Sequence, residues 1–137
     1  MLASLQNSLS KLAGSSVVVS PGIGFPEPGM ASAELLFVDG TRLQTEFWRL
    51  IEGGRPSFSS FDHKQIYGLP TRIDAVQELR EKLAGKMVIE ALHEQETGDL
   101  LLTFTEDVKL QVLNVSAYEI WQIRFPDGTG EYSNHAK

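Results

Sequence analysis

Lys11-Leu12-Ala13-Gly14 and Lys82-Leu83-Ala84-Gly85 are the same four residues, met twice in one chain and each time at the end of an amphipathic stretch. Ahead of the first lie Leu2, Leu5, Leu9 and Leu12, spaced three or four apart, which makes one apolar stripe on a short helix. Ahead of the second lie Val76, Leu79 and Leu83, with Asp74 and Gln77 placed to form a capping box. Glu78 and Lys82 stand four residues apart on that helix, the spacing of a favourable ion pair. Gly14 and Gly85 close the two helices, and a β-branched or apolar run follows each: Val17-Val18-Val19 and Met87 to Leu92.

Working outward, further landmarks recur in the same order. Phe37 corresponds to Phe104, Leu43-Gln44 to Leu110-Gln111, and Trp48 to Trp121. Leu35–Val38 and Leu43–Ile51 read as the arms of a hairpin about Asp39-Gly40, with Phe37 set against Leu43 across a bulged turn. The last strand reads from Tyr118 to Phe125 and stops at Pro126-Asp127-Gly128. The expectation is an α+β fold in a single domain, residues 1–137. It holds two helices and about six mostly antiparallel strands, arranged as two pseudo-symmetric helix-plus-three-strand repeats. The first repeat covers residues 2–52 and the second 73–126, with a linker at 53–72 and a polar tail at 127–137.

Composition narrows the function classes. With 42% hydrophobic and 22% charged residues, the 137-residue chain has the make-up of an ordinary folded domain. A net charge of −6 would be repelled by a phosphate backbone, so nucleic acid is not an expected partner. The absence of cysteine excludes disulfides, thiol nucleophiles and thiolate metal sites. No Lys or Arg precedes Met1-Leu2-Ala3-Ser4-Leu5, and Gln6, Asn7 and Ser8 interrupt the apolar run; a cytoplasmic protein without a membrane span is expected.

Few residues suggest chemistry. Asp62-His63, with Tyr67 nearby, offers an imidazole beside a carboxylate, the raw material of general acid–base catalysis. Adjacent residues need not face the same way, and a capped turn is the competing reading. His63, His93 and His135 match no metal motif, so neither a metal nor a cofactor is expected. Gly22-Ile23-Gly24-Phe25-Pro26 lacks the Lys-Ser/Thr and the following helix of a phosphate loop, and reads as a rim loop. Trp48, Tyr118, Glu119 and Trp121 are candidate binding residues. The two indoles fit either a packed core or an exposed hot spot.

Tyr118-Glu119-Ile120-Trp121 followed by Pro126-Asp127-Gly128 resembles the closing block of small uncharacterised bacterial domains that end in a "YExW…PDG" pattern. Thr97-Gly98-Asp99-Leu100 and the Phe104-to-Leu110 hairpin fit the same pattern, so the resemblance covers residues 82–130. Such domains are similar in size and acidity to the immunity proteins that accompany bacterial toxins, and the resemblance carries no catalytic residues. The leading expectation is therefore a non-enzymatic protein-interaction module, immunity-like in character. A small-molecule site or hydrolase near Asp62, His63 and Tyr67 is one alternative, and self-association is another.

Overall fold

The computed structural model describes residues 2–24 and 27–134, with the backbone alone at residues 2 and 3. The two helices fall where the apolar spacing places them. Helix α1 (Leu2–Ser10) buries Leu5 and Leu9, and Leu12 is buried in the turn that follows. The side chain of Leu2 lies outside the described residues. Helix α2 (Ala75–Leu83) starts at Asp74, whose carboxylate accepts from the Gln77 N–H at 3.1 Å, and buries Val76, Leu79 and Leu83. Lys82 turns away from Glu78 and reaches Glu52, 3.4 Å off.

Ten strands are described rather than about six. They are β1 (Val17–Pro21), β2 (Ala33–Phe37), β3 (Arg42–Thr45), β4 (Trp48–Glu52), β5 (Arg55–Ser59), β6 (Val88–His93), β7 (Leu100–Phe104), β8 (Val108–Val112), β9 (Trp121–Arg124) and β10 (Gly130–Tyr132). They form two antiparallel sheets of five strands each, in the orders β1-β2-β3-β9-β10 and β5-β4-β8-β7-β6. The fold is thus mixed α+β and mostly sheet.

Three local features account for the larger count. Residues 43–51, expected as one arm, break at Glu46-Phe47: β3 stays in the first sheet and β4 crosses into the second. Two inter-strand hydrogen bonds hold the crossing, Glu46 N–H to the Ile120 carbonyl at 3.2 Å and Leu113 N–H to the Phe47 carbonyl at 2.9 Å. Residues 53–72, expected as linker, contribute β5, whose Arg-Pro-Ser composition carries no alternating apolar signal. The tail contributes β10, which pairs with β9 through Gly130↔Arg124 and Tyr132↔Gln122. In the opposite direction, the strand expected from Tyr118 begins only at Trp121.

Each sheet is a three-stranded meander from one part of the chain, completed by a hairpin from the other. The β9–β10 hairpin pairs with β3 through Thr45↔Trp121, and the β4–β5 hairpin pairs with β8 through Trp48↔Val112. The two meanders meet at their first strands through an antiparallel bridge between Ser16 and Met87. Helix α1 packs on β6, where the Gln6 amide donates to the Ala91 carbonyl at 2.9 Å and accepts from the His93 N–H at 2.9 Å. Those bonds occupy part of an edge that would otherwise be open to other chains. Helix α2 packs on β1.

The β2–β3 register sets Leu35 opposite Leu43. Phe37 therefore lies across from Thr41, to whose carbonyl its N–H donates at 2.8 Å, and not across from Leu43. The loop is residues 38–40, one position earlier than expected: the Gly40 N–H donates to the Phe37 carbonyl at 2.9 Å with Gly40 at φ 99, and the Asp39 carboxylate supports the turn by accepting from the Thr41 N–H at 2.8 Å. The correction spans two residues, so Leu35, Phe37 and Leu43 still share the buried face. Inward residues of both sheets and both helices join in one apolar cluster that includes Phe37, Leu50, Leu79, Phe104 and Leu110.

Candidate functional site

Immediately after β5, Ser59 and Asp62 form a capping box around a single 3-10 turn, residues Ser60–Asp62. The Asp62 carboxylate accepts from the Ser59 N–H at 2.8 Å and from the Tyr67 hydroxyl at 3.0 Å. That hydrogen bond, with the carboxylate charge behind it, holds the Tyr67 phenol above its ordinary pKa. Tyr67 itself is 67% exposed and carries a left-handed backbone, φ 47, as does Lys64 at φ 63. Non-glycine residues enter that region at a cost, and here the Asp62 bond helps hold the turn.

His63 faces elsewhere. It is 5% exposed, and its Nδ1 accepts from the Ala75 N–H at 3.1 Å, the first amide of α2. A helix leaves its first amides without intrahelical acceptors, so an imidazole here does the work of a cap. An accepting Nδ1 places the ring proton on Nε2 in the neutral form. Nε2 is buried with no hydrogen-bond partner among the described residues. Leaving such a donor unmet costs about 1–3 kcal/mol. Burial lowers the His63 pKa; the Asp74 charge pulls it up and Lys64 pushes it further down. Asp62 and His63, adjacent in sequence, thus serve two different turns.

His63 lines a cleft of about 520 Å³, together with Pro21, Gly22, Gly24, Ser32, Lys64, Arg72, Ile73, Asp74 and Val76. Two connections build it: the segment that joins β1 to β2 and the segment that leads from β5 into α2. They are tied by the Gly29 N–H donating to the His63 carbonyl at 2.8 Å, and the Arg72 guanidinium donates to the Lys64 carbonyl at 2.9 Å. Phe25 and Pro26 of the first connection, and His135, lie outside the described residues.

The aromatic candidates separate into two groups. Trp48 is 0% and Trp121 3% exposed, so both are core side chains and neither presents a ring face for docking. Each indole N–H is satisfied inside: Trp48 donates to the Ala31 carbonyl at 2.9 Å and Trp121 to the Gly98 carbonyl at 2.8 Å. The backbone N–H of each also meets a buried serine, Ser60 Oγ for Trp48 at 3.1 Å and Ser133 Oγ for Trp121 at 3.1 Å. Tyr118, by contrast, is 81% exposed, and Glu119 is exposed beside it. Both sit on the 113–120 connection, which Asn134 pins by donating to the Ser116 and Tyr118 carbonyls at 2.9 and 2.6 Å.

His93 packs edge-on against Trp121, ring centroids 6.3 Å apart, and burial lowers its pKa as well. Among the described residues no group of three or more His, Asp or Glu side chains could hold a metal ion. Nor, among the described residues, is any helix long and apolar enough to cross a membrane.

The sequence reading missed the cleft residues Ser32, Lys64 and Arg72, and also an apolar surface on the same segment. Phe61, Ile66, Tyr67 and Leu69 are all exposed, and Phe61 stacks on Phe47 with centroids 5.3 Å apart. A signal existed, since four large apolar residues within nine positions are unusual in a stretch otherwise read as polar linker. Compared with protein-family models, with curated proteins and with solved structures, the chain has no match.

Proposed function

We propose that the protein is a non-enzymatic interaction module, an internal duplication that displays residues 61–69 to a protein partner. The observation that carries this reading is the clustered exposure of Phe61, Ile66, Tyr67 and Leu69 on a turn that Asp62 holds in a left-handed conformation. Large apolar side chains gathered on one exposed turn are the material of interface anchors. The net charge of −6 favours a basic partner through long-range attraction, as an immunity-like role would require. Tyr118 and Glu119 offer a second exposed contact region.

The duplication is supported by pairwise coincidences that chance similarity does not call for. Leu35↔Leu43 matches Leu102↔Leu110, and Thr45↔Trp121 matches Val112↔Trp48. The two indoles donate to carbonyls at corresponding points, and Ser60 and Ser133 serve them alike. Ser16 and Met87, corresponding residues after the two Lys-Leu-Ala-Gly turns, pair with each other, as residues beside a two-fold axis do. In this reading the repeats are helix-plus-three-strand units, each of which lends a hairpin to the other.

The test is a photo-crosslinker at position 67 in the native cell. One stoichiometric adduct is expected, and it should vanish in the Ile66→Ser/Leu69→Ser variant while the unfolding temperature is unchanged. No stoichiometric adduct, or one indifferent to the substitutions, overturns the reading. A second reading, a small-molecule site near His63, is favoured by the cleft that this residue lines. Its hydrolase form loses support, because Asp62 is engaged by Ser59 and Tyr67 and not by His63.

A further inference from the structure

The outer face of the first sheet carries a pairing that a solvated surface does not call for. Arg42 on β3 stands directly opposite Arg124 on β9, both exposed, while their neighbours Leu43 and Ile123 point into the core. Cβ atoms so placed are about 4.5–5.5 Å apart, and like charges there repel. The next outward pair along the same two strands is Gln44 opposite Gln122. Beyond Arg124 the row ends at Gly130, where a Cβ would stand 2.7 Å from the Ile123 carbonyl oxygen, so no side chain fills the space beside the arginine. These residues floor a depression of about 360 Å³, a volume within the range of small-molecule sites.

Neither Arg124 nor Gln122 has a side-chain hydrogen bond or ion pair among the described residues. Arg42 is paired with Glu34 at a long 3.8 Å, and its side chain is 61% exposed. Glu34 is itself held by the Gln44 amide at 2.8 Å. Glu131 also borders the depression, but in the register it is paired with the inward-facing Ile123, and its charge is felt by His93 on that side of the sheet. Two guanidiniums thus share one committed carboxylate, in a chain whose total charge is −6.

We propose that this depression binds a phosphorylated sugar, its phosphate bridging Arg42 and Arg124 and its hydroxyls meeting Gln44 and Gln122. The site is separate from segment 61–69 and from the His63 cleft, neither of which contributes a residue to it. A phosphomonoester brings a charge of about −1.5 to −2 and three terminal oxygens, enough to occupy two planar guanidinium forks at once. A carboxylate, with one charge and two oxygens, occupies one. The polar body is set by what lies alongside. An adjoining depression of about 250 Å³ shares Gln44 and Gln122 and is bordered by Glu46 and Glu119. Amides and carboxylates accept from hydroxyls, whereas an apolar body would strip them of water without replacing their hydrogen bonds.

The probe is glucose 6-phosphate, titrated into the full-length ¹⁵N-labelled chain. Saturable shifts are expected at the amides of Arg42, Gln44, Gln122, Arg124 and Gly130. Arg124→Gln and Arg42→Gln should each weaken binding about tenfold or more, the loss typical of a hydrogen bond between charged groups. Glucuronate, with a carboxylate in place of the phosphate, and inorganic phosphate, without the body, should each bind about tenfold more weakly than the probe. Without ligand, the Arg124→Gln protein should unfold at the parent temperature or slightly above it, because a like-charge pair has been removed. The absence of saturable shifts below about 20 mM, the weak edge of specific binding, overturns the proposal. Equal or tighter binding of glucuronate or inorganic phosphate does so too, as does undiminished binding to the Arg124→Gln variant. A lower unfolding temperature of that unliganded variant also overturns it, since the guanidinium would then be held by the fold. None of these outcomes touches the crosslinking result at position 67, so the two readings fail separately.

Discussion

Replacing Ser60 with alanine removes one oxygen from a fully buried position, where its Oγ accepts from the Trp48 N–H at 3.1 Å. No large side chain is lost, and the second bond of the hydroxyl, donated to the Trp48 carbonyl, is long at 3.4 Å, so the stability change measures chiefly an unmet buried N–H. That penalty is about 1–3 kcal/mol. Ser133 stands in the matching place but accepts from two amides, Ile120 at 2.6 Å and Trp121 at 3.1 Å. Ser133→Ala should therefore cost more, about 2–4 kcal/mol on the same scale. For 137 residues the unfolding entropy is about 0.3 kcal/mol/K, so each kcal/mol lowers Tm by about 3–4 °C. Urea unfolding followed by far-UV dichroism gives the free energies, and calorimetry gives Tm. The reasoning requires both variants to be destabilised, with Ser133→Ala the more so. A Ser60→Ala protein within about 0.3 kcal/mol of the parent would refute it, since that lies below the smallest penalty for a buried orphan donor.

Other outcomes follow from the same contacts. Gly98→Ala should be the more destabilising of two glycine substitutions, because a Cβ there would displace the Asn114 amide from the Thr97 carbonyl and from Asn134, whereas Gly85→Ala meets nothing within 4 Å and should cost only about 1 kcal/mol of backbone strain. Thermal denaturation of the two variants side by side tests the contrast. His63 and His93 are both held below the ordinary imidazole pKa by burial, so the unfolded chain takes up their protons more readily than the folded one. Stability should accordingly fall as pH drops through the unfolded value of 6.5 and level off below the folded values. Urea titrations between about pH 7.5 and 5 check this, and His63→Gln should flatten part of the slope. Trp48 and Trp121 are buried, so their emission should be blue-shifted and resist acrylamide in the native state. Emission near that of free tryptophan would contradict the placement of both indoles.

Local features were legible wherever neighbours in sequence decide them. The leucine spacing of α1, the Asp74 cap of α2 and the alternation in β7 need only 3.6-residue or two-residue periodicity. The Asp62 cap was readable as a turn, and its partner Tyr67 lies five residues away. β5 and β10 were illegible because their residues are polar and half exposed, and pairing with β4 and β9 makes them strands. The cleft was illegible for a similar reason. His63, Gly22 and Arg72 come together only when two connections pack over the start of α2.

The repeated Lys-Leu-Ala-Gly turns and the ordered aromatic landmarks were in the sequence from the outset, and with them the α+β class, since helix ends and strand faces are written in short-range pattern. Where the strands go was not written there. The break at Glu46-Phe47 sends β4 and β5 to the other sheet, which buries Trp48 against Ala31 and Phe58 and carries β9 to β3 in return. Such an exchange is decided by contacts between residues more than sixty positions apart, Trp48 with Val112 and Thr45 with Trp121. Only the folded chain, choosing among pairings that satisfy the same local pattern, resolves them.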